Sequence, residues 1–376
     1  MRGMAMRPIA IAAGGTGGHL FPAEALAAEL SARGERIVLF TDARSAAFDS
    51  PAFANAERFV LRGEGVAGRN PLRATRGAVL LASGMLTARR LLKRLDASVV
   101  VGFGGYPAIP PALAALSLGA RRPALVLHEQ NAVLGRANRA LARRADLLAL
   151  AYEETARVPA GATTRWVGNP VRPALAALAG AGYPPADGAL RLLVTGGSLG
   201  ARIFAELVPA AIASLPEALR ARLVIAQQCR VEDLERVRAA YSQTGIPVEL
   251  SPFFPDIAGR LAHAHLVIAR AGASTVAEIA CAGRPSLLVP LPSAIDNHQV
   301  ANARALEAVG AAQVLHQAAT NPARLAEILA EWLGSPERLA EAARGAASLA
   351  RPQAARELAD LVLAHAARTQ SLQESR

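Results

Sequence analysis

Two stretches decide the fold: residues 9–30, IAIAAGGTGGHLFPAEALAAEL, and residues 191–214, RLLVTGGSLGARIFAELVPAAIAS. Each opens with a short apolar run, turns on a cluster of glycines, and continues into a run of good helix formers. An apolar run without polar alternation suits a strand covered on both faces, as in a parallel sheet. Glycines directly after such a strand let the chain turn sharply and bring backbone N–H groups near an anion at the following helix N-terminus. The unit recurs about one domain length further along, which predicts two α/β domains of related design.

The rest of the chain repeats the pattern. Further apolar runs at 36–41, 98–102, 124–128, 223–226, 266–269 and 286–290 are separated by Ala/Leu-rich helical stretches, the alternation of a doubly wound parallel sheet. Residues 168–190 contain GNPVRP and YPPADG and read as an interdomain linker. From about Asn321 the chain is helical, with Pro352 dividing its last two helices.

Composition excludes several classes. The chain has 376 residues, 52% hydrophobic and 19% charged, which is globular and not disordered. Cys229 and Cys281 lie far apart with no C-x-x-C, so neither a disulfide framework nor a zinc site is expected. Residues 98–120 are uncharged and long enough to span a bilayer, but Gly102, Gly104, Gly105, Pro107, Pro110 and Pro111 break that stretch into strand, loop and helix. A cytoplasmic chain without a transmembrane segment is expected. The net charge of +11 is almost all arginine, Lys93 being the one lysine. Codon bias explains the choice of arginine over lysine, but not where the charges cluster. Residues 62–94 carry seven arginines and Lys93 against one acid, Glu64, interleaved with Val79, Leu80, Leu81, Met85, Leu86, Leu91 and Leu92. Such a segment suits either an anionic bilayer surface or an amphipathic helix docked on a sheet.

Four loops carry candidate chemistry. GGTGGH at 14–19 departs from the dinucleotide fingerprint because Leu20 stands where the third glycine belongs, although Asp42 after the second strand keeps a dehydrogenase reading open. TGGSLG at 195–200 embeds Gly196-x-Ser198-x-Gly200, the nucleophile-elbow pattern, and Asp256 and His298 follow in triad order. The recurrence of the same loop without serine at the chain start favours phosphate cradling. RAGASTVAE at 270–278 begins a helix with Ser274 or Thr275 as N-cap and sets Glu278 one turn in, where a carboxylate could accept from a ribose diol or simply complement the helix dipole. DNHQ at 296–299, with Asn302, groups amides and a carboxylate suited to a hydroxyl-rich sugar. His263 and His265 form H-x-H without a third ligand nearby, and there is no D-x-D, so no metal site and no cofactor are expected.

Taken together and in order, GGTGGH at 14–19, GFGGY at 102–106, HEQNAVLGRANR at 128–139, GNPVR at 168–172, GGSLGA at 196–201, RAGASTVAE at 270–278 and DNHQVANA at 296–303 resemble the MurG family of glycosyltransferases. The resemblance implies the GT-B fold, two Rossmann-like domains facing a cleft. Residues 1–172 would form an acceptor and membrane-associating domain, 173–350 a UDP-sugar domain, and 351–376 a helix returning to the first domain. It implies inverting transfer of N-acetylglucosamine from UDP-N-acetylglucosamine to the 4-hydroxyl of the muramyl sugar in lipid I, giving lipid II for peptidoglycan. The partners it implies are that nucleotide sugar, undecaprenyl-pyrophosphoryl-MurNAc-pentapeptide and an anionic membrane surface, with no nucleic acid, at the cytoplasmic face of the inner membrane.

Residue by residue, the resemblance places Glu278 on the ribose within the Ala273, Ser274, Thr275 turn, and the Phe254 backbone on uracil. It places Ser198 and Arg172 on the nucleotide diphosphate, and Gln299 and His298 on the sugar. Thr16, Gly17, Gly18 and Asn131 would complete the donor and reaction region. The loops holding Gly14 and Gly15, and Gly104, Gly105 and Tyr106, would take the acceptor diphosphate. His19 is the candidate general base, since a neutral imidazole suits proton removal near pH 7. Two segments depart from the family: Ala226-Gln227-Gln228-Cys229 stands for His-Gln-x-Gly, and Ala108-Ile109-Pro110 for Ser-Gly-Pro. Another lipid acceptor, a serine hydrolase using Ser198, and a non-catalytic nucleotide binder are the alternatives.

Overall fold

The computed structural model describes residues 7–15, 17–61, 71–197 and 201–374. It divides into one unit of Met1–Arg172 with Gln353–Arg376 and a second of Pro173–Pro352. Thr16 and Ser198, two of the expected site residues, and the part of the basic stretch at 62–70 lie outside the described residues.

The first unit holds seven parallel strands: β1 (Ile9–Ala12), β2 (Ile37–Thr41), β3 (Glu57–Val60), β4 (Val99–Gly102), β5 (Ala124–Glu129), β6 (Leu147–Leu150) and β7 (Thr164–Trp166). Their order is β3-β2-β1-β4-β5-β6-β7. Along β1 the side chains alternate between two cores: Ile9 and Ile11 pack on one face with Leu26, Leu30 and Val101, Ala10 and Ala12 on the other with Phe40, Val100 and Leu125. Both faces are covered, which is why the strand reads as a continuous apolar run. The helix Ala354–Glu374 covers the first face with Leu358, Ala359 and Val362, and Arg33 pairs with Asp360 at 2.5 Å. Burying a leucine or valine in this way contributes about 1.5–3 kcal/mol.

The second unit has six parallel strands in the order β10-β9-β8-β11-β12-β13. They are β8 (Leu190–Thr195), β9 (Leu223–Gln228), β10 (Val248–Ser251), β11 (Leu266–Ala269), β12 (Ser286–Leu288) and β13 (Ala312–Val314). Its largest buried groups include Arg284, whose guanidinium donates to the carbonyls of Leu261, Gly182 and Ala262. That network ties the segment after the GNPVR motif to the sheet, and Tyr183 completes it by donating to the His265 carbonyl at 2.9 Å. His265 is therefore a buried structural group with Pro185 and Arg191 as partners.

In each sheet the chain reverses its direction of winding at one place, between β1 and β4 in the first and between β8 and β11 in the second. Ligands of doubly wound sheets sit beyond the carboxyl ends of the strands at such switch points. The glycine loops follow β1 and β8, and the GFGGY and RAGASTVAE motifs follow β4 and β11.

Candidate functional site

At the first switch point, Gly17 opens the helix Gly17–Ala32, so its first-turn amides have no acceptor within the helix. The preceding amide is already used: Gly15 N donates to Ser45 Oγ at 2.9 Å and more weakly to Asp42 Oδ1 at 3.4 Å. Asp42 folds back onto this loop and onto Arg44, which accounts for it without a dinucleotide ribose. The Gly15 N–H thus points to side chains of the protein. The first-turn amides at Gly17 and Gly18 are further donors at this end of the loop.

His19 lies in the first turn of that helix and is half-buried. Its Nδ1 is 2.8 Å from the Phe103 carbonyl and 3.2 Å from Gln130 Oε1. Gly104 and Gly105 both have positive φ, and a Cβ on Gly105 would come within 3.1 Å of His19 Nε2. Only glycine there lets the backbone follow β4 while leaving the imidazole in place. Tyr106 is the second residue of the helix Gly105–Leu116, half-buried beside this loop.

The HEQNAVLGRANR segment is organised by a buried carboxylate. Glu129, 2% exposed, accepts from Asn131 N at 3.0 Å and Asn131 Nδ2 at 2.9 Å on one oxygen, and from Gly135 N at 2.9 Å and Asn138 Nδ2 at 3.0 Å on the other. Four donors compensate its desolvation and fix Asn131. His128 is fully buried, and burial, opposed by the Gly168 carbonyl and Glu129, holds its pKa down to about 4. Asn138 closes the group by standing 3.3 Å from where a Gly104 Cβ would be. His19, Gly104, Gly105 and Asn131 are therefore brought together. Arg172 stacks over Phe21 at 4.7 Å, which places its guanidinium against the same helix as His19. In the GNPVR motif Asn169 is buried with neither amide atom hydrogen-bonded. An orphaned buried amide of this kind calls for a partner that the protein itself does not supply.

At the second switch point, Gln228 braces the glycine loop. Its Oε1 accepts from Thr195 Oγ1 at 2.9 Å and Gly196 N at 3.0 Å, and its Nε2 donates to the Gly197 and Pro252 carbonyls at 3.0 and 3.1 Å. Thr275 Oγ1 faces both Gly197 and Gly272, so the loops after β8 and β11 meet. The helix Ala273–Ala282 is capped by Gly272, not by Ser274 or Thr275 as its sequence predicts. Ser274 is instead buried with its hydroxyl unpaired, and Glu278 is buried on the same helix. Arg270 is anchored inward, on the Val289 and Pro290 carbonyls and Gln317.

The DNHQ cluster divides. Asp296 and Asn297 both hold left-handed backbone, φ 54°, a strained pair that marks a constrained turn. Gln299 Oε1 accepts from Leu291 N at 2.9 Å, and Asn302 is fully buried and donates to Ala271 O at 3.2 Å, joining this helix to the loop after β11. His298 Nδ1 turns back to Ile295 O at 2.7 Å. Phe254 is buried under Arg260, 4.1 Å from its ring. Two members of the hydrolase triad are thus committed elsewhere, since Asp256 accepts from Gly259 N at 2.8 Å to cap the helix Ile257–His263.

Gln228, Asn169 and the Glu129–Asn138 pair are the residues that motif reading left without a role. Gln228 lay in a segment marked only as a family departure, and nothing in a linear sequence shows that its amide reaches back to a loop thirty residues earlier.

The chain matches the glycosyltransferase family 28 N-terminal domain over residues 9–149 and the glycosyltransferase family 28 C-terminal domain over residues 191–361. With its two parallel-sheet units, it has the architecture of a GT-B glycosyltransferase. It is 56% identical to the UDP-N-acetylglucosamine–N-acetylmuramyl-(pentapeptide) pyrophosphoryl-undecaprenol N-acetylglucosamine transferase of Granulibacter bethesdensis, over 96% of this chain and 94% of that one. The enzyme of the same name from Acidiphilium cryptum is 55% identical over 96% and 98%. The crystal structure of MurG from Acinetobacter baumannii superposes with a TM-score of 0.77 at 31% identity, covering 95% of this chain and 99% of that one. The chain belongs to the MurG family.

Proposed function

We propose that this enzyme is an inverting transferase that moves N-acetylglucosamine from UDP-N-acetylglucosamine to the 4-hydroxyl of the muramyl sugar of lipid I, yielding lipid II and UDP. The observation that carries this reading is the pairing of motifs at the switch points: a glycine loop with an imidazole in the first sheet, and a glycine loop with a buried carboxylate in the second.

The second unit takes the donor. Glu278 accepts from the ribose diol, the unpaired Ser274 hydroxyl and the first-turn amides of its helix face the nucleotide, the Phe254 backbone meets uracil, and Gln299 with His298 meets the sugar. In the first unit the first-turn amides at Gly17 and Gly18 and the Gly104–Tyr106 loop receive the acceptor diphosphate. His19 removes the proton from the 4-hydroxyl as that oxygen bonds to the anomeric carbon, while the bond from that carbon to the UDP oxygen breaks. No metal or cofactor enters this scheme. Arg172 and helix N-termini meet the charge that gathers on the leaving diphosphate.

The enzyme works peripherally, at the cytoplasmic face of the inner membrane. Among the described residues no helix is long and apolar enough to cross a bilayer. The helix Pro71–Leu95 supports surface binding: Ala88 and Leu92 pack into the core, whereas Val79 and Leu86, 62% and 52% exposed, share a seven-residue spacing with exposed Lys93. The docked face carries Ala88 and Leu92, and the surface-binding role is assigned to the opposite face of the same helix.

The test is UDP release from UDP-N-acetylglucosamine with and without a lipid I analogue. Acceptor-dependent release, lost in Glu278→Ala through a raised donor KM, is the expected result. Release with another lipid but not with this analogue would move the assignment to a different acceptor.

A further inference from the structure

The geometry points to Gln130, held in place by His128, as a positioning residue that acts with the Phe103 carbonyl to set the tautomer of His19, leaving its Nε2 unprotonated and free to act as base. The inference rests on the reading of His19 as the general base and supplies what that reading lacks, a reason for the proton to sit on the other nitrogen.

Three backbone carbonyls over-determine the arrangement, because a carbonyl can only accept. His128 Nε2 is 3.0 Å from the Gly168 carbonyl, so that nitrogen carries the proton and His128 Nδ1 is an acceptor. Gln130 Nε2 lies 3.3 Å from this Nδ1, 2.9 Å from the Phe103 carbonyl and 3.4 Å from the His128 carbonyl, three acceptors that hold the amide with its nitrogen inward. Its Oε1 then faces His19 Nδ1 at 3.2 Å, beside the same Phe103 carbonyl at 2.8 Å. Two acceptors converge on His19 Nδ1, and that nitrogen must donate. The other ring nitrogen is turned toward Gly105, in the loop assigned to the acceptor.

The design is a neutral counterpart of a carboxylate–histidine pair. An amide orients the imidazole without adding negative charge beside an acceptor that carries a diphosphate. Burial of His128 keeps the far end of the relay uncharged, so the amide is not driven to flip. The Gly168 carbonyl enters through a positive-φ turn, φ 90°, at the start of GNPVR, which gives that glycine a role in the chemistry of a distant loop.

Full-length enzyme labelled with ¹⁵N-histidine reports the tautomer directly through long-range ¹H–¹⁵N correlations, the His19 peaks being those lost in His19→Gln. The wild type should show Nδ1 protonated and Nε2 bare. Gln130→Met leaves His19 Nδ1 only the Phe103 carbonyl, so Nδ1 should stay protonated in the major form while a minor Nε2-protonated tautomer appears and kcat falls on the order of threefold, with donor KM within about twofold. A wild-type His19 protonated on Nε2, or a Gln130→Met spectrum identical to wild type whatever its turnover, would overturn the relay. A tautomer shift with unchanged kcat would leave the relay standing and remove the general-base role of His19.

Discussion

In the first unit the second loop glycine, Gly15, donates its N–H to a serine hydroxyl and a carboxylate, and in the second the matching Gly197 donates to Thr195 Oγ1 at 3.3 Å while Gly196 before it donates to the side-chain oxygen of Gln228. Both loops leave the carboxyl end of a central strand at the point where the sheet changes winding direction. The first adds an imidazole, held through Gln130 to a buried histidine. The second adds a buried carboxylate and an unpaired hydroxyl on the helix that follows β11. On the proposed reading, one backbone device serves two chemistries, proton removal and nucleotide binding. Topology sets where a ligand goes, and the side chains brought to that place set what happens to it.

The comparison breaks most visibly at His19. His19→Gln should lower kcat by about 10²–10⁴-fold, the range for losing a general base, with donor KM little changed. Steady-state kinetics of UDP release would show it, and a variant altered only in KM would place His19 on the donor side instead.

Next in size is a pH effect confined to the first loop. Folded His128 titrates at about 4, below the ordinary 6.5, so between those values the unfolded chain binds a proton that the folded protein refuses. Its contribution is full above pH 6.5 and is lost as pH falls toward 4, about 3 kcal/mol in all. Denaturant titrations at pH 7 and 4.5 should find a smaller loss in His128→Gln than in wild type; equal losses would mean that His128 is not buried neutral.

Gln228→Leu tests the second loop. Removing an amide that satisfies four backbone and hydroxyl partners should cost on the order of 1–3 kcal/mol, divided between stability and UDP affinity, with kcat at saturating donor retained. A fall in kcat alone would contradict the division of labour. The smallest expected effect is at the helix Pro71–Leu95. Val79→Ser with Leu86→Ser should weaken binding to anionic vesicles several-fold, by about 1–2 kcal/mol of lost apolar contact, and leave turnover of a soluble acceptor analogue intact.

Much of the fold was legible. Continuous apolar strands such as Leu266–Ala269 announce a sheet covered on both faces, and the glycine loops announce its ends. Strands β3, β7, β10 and β13 were missed because they are short edge strands with partly exposed positions, as in ERFV and TRW, and β6, the buried run LLAL, because it lies in an Ala/Leu-rich stretch that reads as helical. The glycine motifs and His19 stood out because special backbone and titratable groups are rare and local. Gln130, Gln228 and Asn169 did not. Each is a neutral amide whose meaning depends on which distant carbonyl or hydroxyl the fold sets beside it, and no spacing rule encodes that. The Ser274 prediction failed for a related reason: Gly272 took the cap, leaving the hydroxyl for another partner.

The most direct test of the division between the two loops is calorimetric titration of UDP into His19→Gln and Glu278→Ala. The account predicts wild-type affinity in the first variant and a loss of about tenfold or more in the second, the worth of an ionised hydrogen-bonding group. Weakened UDP binding in His19→Gln with unchanged binding in Glu278→Ala would contradict it and reverse the roles assigned to the two switch points.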